Sequence, residues 1–144
     1  MFDIKVSRVV KKDISFVFEQ LANHSEYKQF PGVKGSKLLE KGNLEDNGLG
    51  ALRMIDTGSV VLHERIVSFE RPTKLGYLIE YSTPLPFAHD LGEIILSEQE
   101  DGTLVEWHSK GRINIPLIGG MFDSRFQKMG GKSFGAILKF IDNK

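Results

Sequence analysis

The chain has 144 residues, with 19 lysines and arginines against 19 aspartates and glutamates, and no cysteine. This length suits one domain, 1–144, with a hydrophobic core, and the balanced charge gives no sign of a nucleic-acid partner. The lack of cysteine excludes a disulfide framework, a thiol nucleophile and a thiolate metal site, and without a signal-peptide pattern or an apolar run near 18 residues we expect a cytoplasmic protein with no transmembrane segment.

The N-terminal segment predicts one strand and two short helices. Apolar and polar residues alternate from Phe2 to about Val10, which indicates a half-buried strand. Asp13 then offers an N-cap to a helix over about 14–22, whose apolar residues recur at helical spacing. Ser25 offers a cap to a second helix of one or two turns over 26–29. This helix must end before Pro31, because proline disfavours helical geometry in the residue before it.

After Pro31 the pattern changes to strands separated by turn residues. The best hairpin signal is Asp101-Gly102 between two alternating runs. Short connections predict an antiparallel meander, so the chain is expected to be α+β, with helices segregated to one face of a sheet. The predicted strands are 33–41, 50–57, 60–69, 75–82, 93–98 and 103–113.

The last segment, 116–144, predicts one long helix with a wide apolar face. At 100° per residue that face spans roughly 160°. Its apolar members are Phe122, Phe126, Met129, Phe134, Ile137, Leu138, Phe140 and Ile141. The opposite side carries Arg125, Lys128, Lys132, Lys139 and Asp142. Gly130 and Ser133 leave a notch in the apolar face, which predicts either close packing of a strand or room for a ligand.

Two strands place aromatic residues on the faces that we expect to point inward. One such face carries Leu75, Tyr77, Ile79 and Tyr81, and the other carries Val105, Trp107 and Ser109. Buried tyrosine and tryptophan need partners for their polar atoms. The aromatics therefore either line a small-molecule pocket or belong to the core, with their polar tips at the rim of the sheet.

The strand 60–69 does not separate into a polar and an apolar face. Glu64 shares one face with apolar residues, and His63 and Arg65 share the other. A lone buried charge is costly, so a pairing of Glu64 with Arg53 would satisfy both groups. Alternatively, these charges lie at the exposed end of the strand.

The sequence shows no recognisable catalytic machinery. Its four histidines have no metal-ligand spacing, and there is neither a P-loop nor a nucleophile elbow. The segment Gly48-Leu49-Gly50 is expected to be a hairpin turn, because no helix follows it. We therefore predict no metal and no cofactor, and the catalytic residues stay unknown.

Several strings, in this order and spacing, resemble the START-like or Bet v 1-like (SRPBCC) helix-grip superfamily, and most closely its polyketide cyclase/dehydrase and lipid-transport family. They cover nearly the whole chain: Leu21-Ala22-Asn23, 27–33, 48–53, 64–66, 72–77, 101–107 and 116–119. Segment 27–39 also resembles the quinone-binding branch. The resemblance implies a seven-stranded antiparallel sheet gripping the C-terminal helix, with a hydrophobic cavity between them.

The same resemblance implies a ligand but no universal catalytic motif. The first hypothesis is binding or transport of a hydrophobic or amphipathic molecule of the lipid, polyketide or quinone class. The alternatives are a cyclase or aromatase, which would fold a polyketone and supply an acid or base, and an accessory protein-interaction module. A homodimer stays open. The predicted ligand-binding residues are Arg53, Glu64, Tyr77, Ile79, Tyr81, Trp107, Phe122, Phe126, Met129, Gly130, Ser133 and Phe134.

Overall fold

The computed structural model describes all of residues 1–144. A single antiparallel sheet has the strand order β1-β7-β6-β5-β4-β3-β2, which confirms the predicted helix-grip fold. Its strands are β1 Phe2–Val10, β2 Gly35–Glu40, β3 Leu52–Asp56, β4 Val61–Glu70, β5 Lys74–Thr83, β6 Phe87–Gln99 and β7 Gly102–Ile113. Helix α1 is Ile14–Ala22, a 3₁₀ helix is His24–Gln29, and helix α2 is Gly119–Asp142.

Most element boundaries fall within three residues of their predicted positions, and one strand is much longer than expected. Strand β6 begins at Phe87 rather than Glu93, and its extra residues pair only with β7. Helix α2 begins at Gly119, because Leu117 adopts a φ of 71° and interrupts the helical path after Pro116. The hairpin expected at Asp101-Gly102 joins β6 to β7.

The hydrophobic core lies between the concave face of the sheet, α1 and the C-terminal end of α2. From α2 it takes Ile137, Leu138 and Ile141. The N-terminal half of α2 lies over β1 instead, where Gly130 is buried beside Ile4. A Cβ atom on Gly130 would lie 2.6 Å from Ile4 Cδ1. Close strand packing therefore accounts for this glycine, and the prediction that it leaves room for a ligand is wrong.

A bulge between β4 and β5 reverses the orientation of one predicted site residue. Glu64 pairs with Ile79, but the preceding residue His63 pairs with Tyr81, so one residue of β5 is left over. Side chains alternate along a strand, and an extra residue therefore changes the face on which those beyond it point. Tyr81 is 57% exposed and packs against His63 on the outer face. The prediction that Tyr81 points inward is wrong.

Candidate functional site

A buried ion pair lies on the concave face of the sheet. Arg53 on β3 and Glu64 on β4 are directly opposite each other, and they are only 1% and 5% exposed. The Arg53 atoms Nε and Nη2 each lie 2.8 Å from Glu64 Oε1. The sequence predicted this pairing as one of two alternatives. The other alternative, in which the charges lie at the exposed end of the strand, is wrong. Burial of both groups is tolerable because each neutralises the other.

Two aromatic rings flank the Arg53 guanidinium. Its Cζ atom lies 4.7 Å from the ring centre of Tyr27 and 5.2 Å from that of Tyr77. Such cation–π contacts stabilise a desolvated cation. The remaining nitrogen, Nη1, lies 3.1 Å from Nδ1 of His24. Arg53 is thus held rigidly between the sheet and the 3₁₀ helix.

The contacts of His24 fix its tautomer. Arginine can only donate, so Nδ1 of His24 accepts from Arg53. The other nitrogen, Nε2, lies 3.0 Å from the carbonyl oxygen of Asn47 and must donate to it. Burial, together with the charge of Arg53, lowers the pKa of His24 to about 3. His24 is therefore a neutral positioning group for Arg53.

Two polar atoms at this site keep unused hydrogen-bonding capacity. The ion pair occupies Oε1 of Glu64, whereas Oε2 has no hydrogen-bond partner. Tyr77 accepts a hydrogen bond of 2.8 Å from Nε1 of Trp107, and its own hydroxyl proton has no acceptor. Burial and the neighbouring Glu64 raise the pKa of Tyr77, so the hydroxyl stays protonated. The site thus offers one acceptor and one donor.

A serine and a histidine form a second polar group nearby. Strands β5 and β6 pair only as far as Gly76, and beyond it the His89 ring occupies the gap and stacks against Tyr77. Nδ1 of His89 accepts from the backbone N–H of Ile79 at 3.0 Å. Burial lowers the pKa of His89 to about 4. The neutral ring therefore carries its proton on Nε2, which donates to the Ser109 hydroxyl oxygen at 2.9 Å.

This arrangement rules out a serine nucleophile activated by His89. A general base needs a free lone pair on the nitrogen that faces the serine, and in His89 that nitrogen is the donor. The hydroxyl proton of Ser109 is instead left without an acceptor. Ser109 is therefore a second hydrogen-bond donor at the site.

These groups surround a cavity of about 90 Å³ between the sheet, the 3₁₀ helix and α2. Its other walls are largely apolar and include Ile55, Leu62, Ile79, Phe126, Phe134 and Ile137. Pro31, Gly32 and Ser133 line it and are exposed, so they mark its mouth. Ligand pockets usually measure roughly 300–1,000 Å³. The cavity therefore has room for a polar head group, and a longer molecule must extend through the mouth.

The family profile described as "Polyketide cyclase / dehydrase and lipid transport" matches residues 1–138. The chain belongs to that family. Membership supports a ligand-binding or cyclase-type function. No curated protein sequence matches this member of the family.

Solved structures share the fold of this polyketide cyclase/dehydrase and lipid-transport family member at low sequence identity. A START superfamily protein from Mycobacterium smegmatis is 14% identical, with a TM-score of 0.78 over 99% of this chain and 96% of that one. XoxI from Bacillus cereus is 18% identical, with a TM-score of 0.74 over 99% and 94%. The di-domain ARO/CYC StfQ from the steffimycin biosynthetic pathway is 12% identical, with a TM-score of 0.79 over 98% of this chain and 49% of that protein.

In this family member, eight of the twelve predicted ligand-binding residues line the cavity: Arg53, Glu64, Tyr77, Ile79, Trp107, Phe126, Ser133 and Phe134. The other four, Tyr81, Phe122, Met129 and Gly130, lie outside it. Met129 is 52% exposed, because the wide apolar arc of α2 extends beyond the part of the helix that the sheet covers.

Sequence reasoning missed Tyr27 and Ser109 as site residues. Tyr27 lies on the 3₁₀ helix, where a six-residue element gives no periodicity to read. Ser109 had a usable signal, because it shares the inner face of β7 with Trp107. The structure holds no cluster of three or more histidine, aspartate or glutamate side chains suited to a metal ion.

Proposed function

We propose that the protein binds a small amphipathic molecule whose polar head enters the cavity and whose apolar part lies in the mouth beside α2. The observation that carries this proposal is the set of polar atoms with unused hydrogen-bonding capacity in a largely apolar cavity. Glu64 Oε2 lacks a donor, and the hydroxyl protons of Tyr77 and Ser109 lack acceptors. All three residues line the cavity, and the polar head of a ligand would pair with these groups.

The chemistry of these atoms narrows the class of ligand. Glu64 pairs with Arg53 through Oε1 and presents Oε2 as an acceptor, so its partner on the ligand must be a hydroxyl or an N–H group. The hydroxyl protons of Tyr77 and Ser109 need an acceptor on the ligand, such as a carbonyl oxygen. Hydroxyketones, phenolic ketones and hydroquinones offer such groups, whereas a quinone has only acceptors and would leave Glu64 without a partner. Within the lipid, polyketide and quinone classes, the site thus favours hydroxylated polyketide-like rings.

Trp107 gives a direct test, because it is the single tryptophan of the chain and lines the cavity. We suggest titrating the protein with 6-hydroxy-1-tetralone, 6-methoxy-1-tetralone and 1-tetralone, and following the tryptophan emission. The hydroxylated ketone should bind roughly 10-fold or more tightly than the other two, since a hydrogen bond to a charged group is worth about 1.5–3 kcal/mol. Equal affinity for all three would remove Glu64 from the proposal, and no change in emission with any of them would refute binding in this cavity.

A cyclase-type reaction is the second candidate, and one observation favours it. Glu64 and Tyr77, a carboxylate and a neutral hydroxyl, line the same cavity, and enolisation of a ketone needs a base and an acid in such positions. The test is exchange of the α-hydrogens of 1-tetralone, which has no hydroxyl to occupy Glu64, in D₂O, followed by NMR. Exchange accelerated by the protein and abolished in Glu64→Gln would support catalysis, whereas exchange at the buffer rate alongside normal binding would leave binding as the function.

A further inference from the structure

The exposed face of α2 carries a stripe of positive charge. Its four members, Arg125, Lys128, Lys132 and Lys139, are all exposed, and none of them forms an ion pair. At 100° per residue they fall within an arc of about 60°. At 1.5 Å per residue the stripe is about 21 Å long. It is straight enough to contact a flat surface along most of the helix.

No free carboxylate on α2 offsets this charge. Segment 124–141 contains no aspartate or glutamate. Asp123 is buried and accepts from the backbone N–H of Ile113, and Asp142 is paired with Arg8. On the neighbouring strand, Asp3 accepts a hydrogen bond from Nε2 of His108. The chain as a whole has no net charge, so this face is a local concentration of positive charge.

Apolar side chains stand out at the N-terminal end of the same helix. Leu117 has its side chain wholly in solvent, Met121 is 69% exposed, and Ile118 lies between them in the chain and is also exposed. Met121 continues the line of the stripe. The positive φ of Leu117 is an unfavourable conformation for a residue with a side chain. The backbone therefore holds an apolar residue in solvent at some conformational cost.

We propose that this face docks the protein on a membrane surface of anionic lipids, with 117–121 inserted among the acyl chains and the stripe over the head groups. A basic helical face next to exposed apolar residues is the pattern of helices that lie in the membrane interface. Anionic head groups attract each lysine or arginine near the surface by about 1 kcal/mol. An acidic protein or a nucleic acid would pair with the basic side chains, but it would leave the protruding Leu117 without an apolar partner.

The stripe and the mouth of the cavity lie on different sides of α2. Ser133, which lines the mouth, follows Lys132 of the stripe, but consecutive residues of a helix point 100° apart. The mouth therefore lies to the side of the stripe and not beneath it. The docking is thus independent of the cavity and of the proposed function. No helix of the structure is long and apolar enough to span a membrane.

The test is co-sedimentation of the protein, without ligand, with vesicles of phosphatidylcholine alone or of equimolar phosphatidylcholine and phosphatidylglycerol. Binding is expected only to the anionic vesicles, and salt at about 0.5 M should abolish it. The double variant Lys128→Gln/Lys132→Gln should bind roughly 25-fold more weakly, which corresponds to about 1 kcal/mol for each charge removed. Leu117→Ser should weaken binding roughly 10-fold through the loss of an inserted side chain.

The matched control is Lys5→Gln/Lys37→Gln, which removes two exposed, unpaired lysines from β1 and β2 and should leave vesicle binding unchanged. Equal losses in the two double variants, equal binding to both kinds of vesicle, or no binding to either would overturn the proposal. So would tighter binding to soluble polyglutamate with no effect of Leu117→Ser, which would identify an acidic macromolecule as the partner. Titration with 6-hydroxy-1-tetralone in the absence of vesicles tests the proposed function separately.

Discussion

Arg53 directs both of its short contacts to one oxygen of Glu64, so that Nε and Nη2 each lie 2.8 Å from Oε1 and Oε2 is left free. The geometry combines two roles in one pair. Oε1 neutralises a buried cation, and Oε2 is available to a ligand. Arg53 thus stabilises the carboxylate of Glu64 without occupying Oε2, which is left as a strong acceptor.

Removal of Arg53 alone should be strongly destabilising. Arg53→Met leaves Glu64 as a buried charge without a partner, and such changes cost roughly 3–5 kcal/mol. The double variant Arg53→Met/Glu64→Leu replaces the pair by apolar side chains and should recover most of that loss. Urea denaturation of Arg53→Met, Glu64→Leu and the double variant measures the coupling energy between the two side chains. Additive losses would contradict a tightly coupled pair.

Stability should fall as the solution is acidified below about pH 6.5. The native pKa values of His24 and His89 are about 3 and about 4, against 6.5 in the unfolded chain. Below pH 6.5 the unfolded state therefore takes up protons that the native state does not bind, and its free energy falls relative to the native state. The stabilisation is complete above that pH and is lost progressively towards pH 4 and then pH 3.

Because both histidines take up protons in this range in the unfolded state, the free energy of unfolding should decrease by about 4 kcal/mol between pH 7 and pH 5. Urea denaturation at a series of pH values measures it. His24→Gln and His89→Gln should each remove about half of the slope, whatever their effect on stability at pH 7. A flat profile in the wild-type protein would show that neither ring is held neutral.

The alternation of apolar and polar residues was enough to predict the element order and most of the cavity wall. On β5 and β7 the inner faces follow this alternation without interruption as far as Ile79 and Ser109. It failed at Tyr81, because a bulge depends on how two strands pair and leaves no mark in the pattern of one strand. It could not choose between the alternatives for Glu64, because that choice depends on whether Arg53 lies opposite, which is a matter of register.

The glycines of α2 show a second limit of prediction from the sequence. Helix propensity alone predicts a similar cost at Gly130 and Gly131, and the sequence indicated only that something must offset it. What distinguishes the two is the distance to β1. A Cβ on Gly130 would meet Ile4, whereas nothing lies within 4 Å of one on Gly131.

Alanine substitutions at these two glycines should therefore differ. Gly131→Ala should stabilise the protein by about 1 kcal/mol through helix propensity. Gly130→Ala should gain less or become destabilising, because the buried Ile4 side chain must move. Thermal and urea unfolding of the two variants measure the difference, and the double variant Gly130→Ala/Ile4→Val should regain part of the loss. Equal stabilisation by both alanines would show that α2 does not pack closely on β1.

Tyr77→Phe should separate the binding role of the cavity from its structural role. The substitution removes the acceptor of the Trp107 N–H and one of the two free donors, while the ring stays against Arg53. An unsatisfied indole N–H should cost about 1–3 kcal/mol of stability and shift the Trp107 emission. The affinity for 6-hydroxy-1-tetralone should fall by roughly 10-fold. Tyr27→Phe is the matched control, because its hydroxyl already donates to the Leu21 carbonyl at 2.6 Å. That variant should lose stability but keep its affinity, and an equal loss of affinity in both variants would mean that the Tyr77 hydroxyl does not contact the ligand.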